Sequence, residues 1–459
     1  MPLVFLLRAA ALHFLVATAA SAHLLLPFTQ QTNIARSTDG ATNELANLPL
    51  AASGHVFVVN ATVGTPGQPV SLLLSTSSPH TWVPKADVMP CMTRYDPRIG
   101  FYSSDSTDGS NSACGWGTFT TAKSSTARTA EQLYLDFVVA FSDTINVEGL
   151  NYTDTLELGN IKIEDFSLGV VQSTSHHQWI GMLGLGNDGE TNFPRWSPKY
   201  RPNFVDRLVS SGKIKSPGYS IWLNDPEGSS GNLLLGAIDQ SRYDGDLIRL
   251  NANQPYDVFP SAFRVSLAAV NIDDGKGSKF TDPTVVTLSP ADSFSYLPDK
   301  TVEGIMAAAG ATWDDAIKRA TLPCNAGAKA KNTTIFHFQL AGSDGPVLNV
   351  GLSDLVVPPV VSRWETGYTK LKELPSDTCL FGIQKYTAAP SSGGPQYNLG
   401  SSILRRTYMV FDAANKDVAI APVKPKSTSA PAAFGPLPKQ GIVPFETLGA
   451  RIPNSKLYC

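Results

Sequence analysis

Short apolar segments separated by Gly, Pro, Asn and Asp fill residues 53–421. FVVNATVG (Phe57 to Gly64) partly alternates between apolar and polar, as a half-buried strand does, whereas VSLLLS (Val70 to Ser75) is a continuous apolar run ending in a turn. LELGNIKIEDFSLGVV (Leu156 to Val171) predicts two strands joined at Gly159-Asn160. Helical spacing is rarer. FVDRLVSSG (Phe204 to Gly212) has it, with a Gly stop, and Lys300 to Ala320 predicts one or two further helices. The pattern is that of a mainly β protein with a few short helices.

One pattern occurs twice. SLLLSTSSPHTWVP (Ser71 to Pro84) and TVVTLSPADSFSYLP (Thr284 to Pro298) each run from an apolar strand through a small-residue turn to an aromatic–apolar–Pro ending. A duplicated structural unit is the natural reading.

The two ends differ from this body. Residues 1–22 read as a secretory signal peptide: Arg8 near the start, apolar runs, and Ala20-Ser21-Ala22 before His23 as a cleavage signal. No other run approaches the length of a membrane span, so none is expected after cleavage. Residues 23–52 are polar and read as a loosely structured leader. Residues 422–459 are basic and proline-rich, and read as a disordered tail. A net charge of -3 gives no reason to expect nucleic acid or an anionic membrane as partner. Five cysteines suit an oxidising compartment. Cys91 and Cys114 could close one loop, and Cys324 and Cys379 another, which leaves Cys459 over. Sequons at Asn60, Asn151 and Asn332 suit a glycosylated surface.

The residues from Phe57 to Pro84 resemble the first active-site segment of the pepsin-like aspartic peptidases. Gly64-Thr65-Pro66, the Leu-rich strand and Trp82-Val83-Pro84 carry the likeness. GMLGLG (Gly181 to Gly186) resembles the segment packed behind that site. Phe204 to Asp225 is similar to a segment of the family's secreted fungal branch, and GNLLLGAID (Gly231 to Asp239) to the strand pair leading to the second lobe. Thr284 to Pro298 resembles the second active-site segment, and NLGSSILRRTYMVFD (Asn398 to Asp412) the closing segment of the second lobe. The resemblance covers about residues 53–421. It implies an all-β, bilobal, double-barrel fold with a central cleft, one lobe over 53–235 and the other over 236–421. The two cysteine pairs stand where this branch has disulfides. No metal or other cofactor is implied.

The resemblance also marks what has changed. The family strands end in a catalytic Asp, and here Ser75 and Ser289 stand at those positions. Two facing carboxylates share a proton, so that one serves as general base and the other as acid; two unactivated hydroxyls do neither. Thr76 is retained, but its counterpart is Pro290, which has neither hydroxyl nor N–H, so the paired clamp between the loops cannot be symmetric. The turn glycines become Ser77 and Ala291. In the flap segment Phe137 to Gly159, Phe141 replaces the family's Tyr and loses its hydrogen bond near Trp82. Asp292 is a stray carboxylate near the second loop, read as a turn aspartate capping local backbone N–H groups. His80 and the pair His176-His177 read as solvated surface residues, not as members of a serine-hydrolase triad or a metal site.

The expected function is that of a secreted, monomeric, non-proteolytic relative, at the cell wall or outside it. Such a protein binds a peptide or protein in its cleft or inhibits another secreted enzyme. Two alternatives stand beside it: an active acid endopeptidase using displaced carboxylates, and a structural cell-surface glycoprotein.

Overall fold

The computed structural model describes residues 24–31, 56–88, 94–96, 101–103, 114, 116–129, 136–140, 146–174, 180–187, 202–223, 230–252, 262–273, 275, 277–290, 292–328, 334–343, 345–358, 374–386, 396–424, 442–444 and 457–458. The continuous apolar run is the strand Gln68–Ser75, buried from Val70 to its end. Apolar side chains on both faces require cover on both faces, which makes this an interior strand. It pairs antiparallel with Val56–Val63 and parallel with Gly181–Gly184. On its other side Gly181–Gly184 meets Trp82 antiparallel. The chain therefore leaves Ser75, turns, and returns beyond the strand it has just flanked.

The same crossing recurs in the second half. Thr284–Leu288 runs parallel to Tyr397–Leu399, whose Asn398 faces Tyr296 antiparallel. Both copies use one tie. The Gly184 amide donates to Thr81 Oγ1 at 3.0 Å, and the Gly400 amide donates to Ser295 Oγ at 2.8 Å. Thr81 and Ser295 stand at equal distances after Ser75 and Ser289. The sequence echo is thus a repeated structural unit.

One large sheet runs from Arg128–Thr129 through the first crossing, then Leu24–Gln31, Ser230–Leu235, Gly218–Leu223, Thr407–Asp412 and Asp417–Pro422 to Ile248–Asn251. A separate sheet holds the second crossing together with Arg264–Asp273, Ile335–Leu340 and Val347–Gly351. Tyr219 joins the parts. It is fully buried, stacks on Phe411 at 5.0 Å, meets Phe263 edge-on, and donates its hydroxyl to the Leu185 carbonyl at 2.8 Å. Burial pushes its pKa well above the usual value, so the hydroxyl keeps the proton it donates. Cys324 and Cys379 form a disulfide, worth about 4 kcal/mol by loop entropy.

Strands Asn146–Leu158 and Ile161–Thr174 meet at the expected turn, with Gly159 at φ 56. The helix expected after Pro202 is Phe204–Ser210. Asn203 caps it by accepting from the Asp206 amide. Lys300 to Ala320 holds one helix, Asp299–Ala309, within the one or two expected and ended by Gly310 at φ 69; Thr312–Asp314 and Arg319–Pro323 beyond it form a hairpin. The charged WDDAIKR stretch mimics helical spacing, but Asp314 caps a tight turn through the Ala316 amide. The leader is not wholly loose, because Leu24–Gln31 lies between Val56–Val63 and Ser230–Leu235. Nor is the tail wholly without order. Ile442–Pro444 pairs with Ala237–Asp239, and Leu457–Tyr458 pairs with Arg249–Leu250. Backbone pairing needs only an available strand edge, which composition does not reveal.

Gly184 is required by close approach: a Cβ there would lie 2.3 Å from the Pro79 carbonyl carbon and 2.6 Å from the His80 nitrogen. Gly184→Ala should therefore cost more than about 3 kcal/mol in urea denaturation. Gly212→Ala, at φ +69 with open space around it, should cost about 1 kcal/mol. Equal losses at the two sites would show that the approach behind the first loop is not tight.

Candidate functional site

Strand Gln68–Ser75 delivers Ser75 and strand Thr284–Leu288 delivers Ser289 to matching ends of the two crossings. Both serines are buried, at 1% and 2% exposure. The loops are joined by one side chain. Thr76 Oγ1 donates to the Leu288 carbonyl at 2.6 Å, 212 residues away in sequence. Pro290 is buried at the matching position and has no group with which to return the bond, so the clamp is one-sided, as expected. Ser75 Oγ accepts from the Ser78 amide at 3.1 Å and lies 3.2 Å from Ser77 Oγ. Ser289 donates its amide to the Leu399 carbonyl at 2.9 Å. Ser77 is not among the residues with positive φ, so the turn accepts a serine without backbone strain. Ala291 lies outside the described residues.

Behind each loop sits a glycine that allows it to close. A Cβ on Gly186 would lie 2.7 Å from the Ser78 carbonyl carbon, and one on Gly400 would lie 2.3 Å from the Phe294 oxygen. GMLGLG therefore does the packing its resemblance implies, and Gly400 plays the same part behind the second loop.

Asp292 belongs to the second loop's own bonding. Its amide donates to the Ser289 carbonyl at 3.1 Å, its carbonyl accepts from the Ser401 amide, and its carboxylate accepts from the Asn398 side-chain amide. The expected turn is present, but the carboxylate takes a side-chain donor from the neighbouring strand. The buried carboxylates elsewhere each accept at least one hydrogen bond, though Asp154 Oδ2 has no partner among the described residues. Asp154 accepts from Thr126 and Thr155, Asp239 from Ser241 and Arg242, Asp354 from Arg406, Asp412 from Asn415, and Asp417 from Arg249.

His80 departs from expectation. It is partly enclosed, its ring meets Phe137 edge-on at 5.9 Å, and its amide donates to Ser78 Oγ. Burial lowers its pKa from 6.5 to about 4, so it is a neutral packing residue at mildly acidic pH rather than a solvated one. Phe294, buried, occupies the equivalent place in the second loop. His176 and His177 lie outside the described residues. Among the described residues no group of three metal-binding side chains occurs.

Trp82 packs at 4% exposure against Phe137, Val139, Val147 and Val171. Phe137 and Val139 belong to Asp136–Ala140, which pairs with the start of Asn146–Leu158 as the flap hairpin. The Trp82 Nε1 proton is buried with no acceptor among the described residues. Phe141 lies outside the described residues. Cys114 is buried and disulfide-bonded, whereas Cys91, Asn332 and Cys459 lie outside them. Asn60 is exposed and Asn151 half-buried, both on strands. Sequence reading overlooked Thr81, Ser295 and Asn398. The hydroxyl recurring at the same offset in both echoes was the available signal.

The His80 shift has a stability consequence. Between pH of about 6.5 and about 4 the unfolded chain holds a proton that the folded one refuses, so stability falls as pH drops through that window, by up to roughly 3 kcal/mol. His80→Phe should flatten this part of a Tm-against-pH profile and leave the neutral end little changed. Superimposable profiles for the two proteins would show that His80 is not held neutral.

The eukaryotic aspartyl protease family model matches residues 56–423. A probable aspartic-type endopeptidase OPSB of Arthroderma benhamiae is 30% identical over 381 residues, which is 82% of this chain and 70% of that protein. Secreted aspartic protease 8 of Candida albicans is 25% identical over 380 residues, 83% of this chain and 79% of that one. The crystal structure of an aspartic proteinase from Irpex lacteus is 19% identical, with a TM-score of 0.60, and the match covers 89% of this chain and 100% of that one. This last likeness shows the fold: mainly β, bilobal and pepsin-like. With the repeated crossing, the clamp and the glycine-backed loops in place, the chain belongs to the eukaryotic aspartyl protease family.

Proposed function

We propose that this chain is a secreted, non-proteolytic member of its family, which holds a peptide or a segment of another protein in its cleft or thereby blocks another secreted enzyme. One observation carries the reading: serine hydroxyls occupy both positions where the family's chemistry needs carboxylates. Water attack on a peptide bond requires a group that takes a proton near the working pH and another that gives one. A serine hydroxyl without a base does neither. Asp292, the nearest carboxylate in sequence, is bonded to Asn398, and the buried carboxylates elsewhere have donors of their own. The apparent signal peptide and the secreted relative of Candida albicans support an extracellular location.

The test is a cleavage assay on the purified protein at acid pH, with a pool of unrelated denatured proteins as substrate and an active fungal relative beside it. The expected rate is lower than the relative's by about four orders of magnitude or more. Turnover that a statine-type inhibitor abolishes would overturn the reading and favour displaced carboxylates. The Ser75→Asp/Ser289→Asp double variant is expected to remain far slower than the relative, because Pro290 still removes half of the clamp.

A further inference from the structure

Three tyrosines from three neighbouring strands meet on the second sheet. Tyr296 lies in Ser295–Leu297, Tyr386 follows Ile383–Lys385, and Tyr397 opens Tyr397–Leu399. Ser295–Leu297 lies between the other two strands and pairs with both. The Tyr296 and Tyr386 ring centres are 6.5 Å apart with the planes at 89°, and those of Tyr386 and Tyr397 are 6.3 Å apart at 74°. All three residues are half-buried, so each keeps part of its surface in water. Rings standing nearly at right angles form the walls of a corner. A cation meets two such faces at once when it lies within about 6 Å of both centres, which at right angles allows a separation of up to about 8.5 Å. Both ring pairs meet that condition.

The surroundings are anionic. Asp299 lies just beyond Tyr296-Leu297-Pro298 and begins the helix Asp299–Ala309. Asp282 stands just before Thr284–Leu288, whose Val286 pairs with Tyr397. Both carboxylates are on exposed residues. Burial first, and then the charges of Asp299 and Asp282, raise the Tyr397 pKa above its usual value, so both carboxylates act on that ring and its hydroxyl stays neutral. The cation beside Tyr386 is directed elsewhere: Lys385 Nζ meets Glu303 at 2.7 Å and lies 5.2 Å from the centre of the Trp313 ring. That neighbouring contact already holds an ammonium group between an aromatic face and a carboxylate.

Chemistry narrows the ligand. A primary ammonium has three N–H donors, each of which needs an acceptor on leaving water. A quaternary ammonium has none and is held by ring faces. A phosphate carried next to it would be repelled by Asp282 and Asp299.

We propose that Tyr296, Tyr386 and Tyr397 form a cation–π site for a quaternary ammonium group on a ligand of net positive charge, such as choline or a trimethylated lysine side chain. The site goes beyond the non-proteolytic reading and does not depend on it.

The experiment titrates the purified full chain, at low ionic strength, with choline, tetramethylammonium, an acetylated trimethyl-lysine amide, phosphocholine, and the uncharged isostere of choline in which a tert-butyl group replaces the trimethylammonium. Kd is read by calorimetry. The three net cations should bind, and the uncharged isostere should bind at least about tenfold more weakly than choline. Tyr386→Leu should weaken choline about three- to thirtyfold, whereas Tyr386→Phe, which keeps the ring face, should stay within about twofold. The tighter of choline and the trimethyl-lysine amide identifies the source of the group, and either supports the site. Three results overturn it: no saturable binding of any net cation, an uncharged isostere that matches choline, or unchanged choline binding by a folded Tyr386→Leu protein. The isostere comparison is made on the wild type, so it decides even where Tyr386→Leu does not fold. Phosphocholine binding more tightly than choline would overturn the net-positive ligand class.

Discussion

A single buried hydrogen bond, from the Thr76 hydroxyl to the Leu288 carbonyl, brings the two halves of the chain to one point. Its partners are 212 residues apart, so it forms only when both crossings are already in register. Leaving either group unpaired in the interior would cost about 1–3 kcal/mol, which makes the bond a condition on the arrangement as well as a contribution to it. Pro290 removes the reciprocal bond. The one-sided clamp must therefore be supported by what lies beneath it: Tyr219 against Phe411 and Phe263, with its hydroxyl on Leu185.

Packing constrains the loops unevenly. Gly184, Gly186 and Gly400 face backbone atoms that cannot move aside, so any side chain there would push a loop out of place. Ser75 and Ser289 face no such limit. A hydroxyl is smaller than a carboxylate, and the Ser78 amide that meets Ser75 is satisfied by either oxygen.

Much of this was legible in the sequence because the signals were local or repeated. The strand–turn–aromatic echo, the Gly159-Asn160 turn and the helix from Phe204 each carry their cause within a few residues. Ser75 ends the apolar run before Trp82-Val83-Pro84, and Ser289 the one before Tyr296-Leu297-Pro298. The misses were non-local. His80 looks like a surface residue until Phe137, brought from the flap strand, closes over it. Asp292 has no visible partner until Asn398 arrives in the middle of the parallel strand Tyr397–Leu399. The strand at Leu24–Gln31 and the tail pairings depend on sheet edges supplied by residues far along the chain.

The position of Leu24–Gln31 bears on how the molecule is made. The strand lies inside the large sheet, with six register pairs to Ser230–Leu235 and three to Val56–Val63. The sheet beyond it is completed by Thr407–Asp412 and Asp417–Pro422. A ribosome releases the chain from its amino end, so this strand emerges among the first and must wait for its main neighbour until about half the polypeptide has been synthesised. Until then its edge is open to any other extended segment. A strand that emerges early is one whose place is fixed late, and the nascent protein depends on later strands to complete the sheet around it.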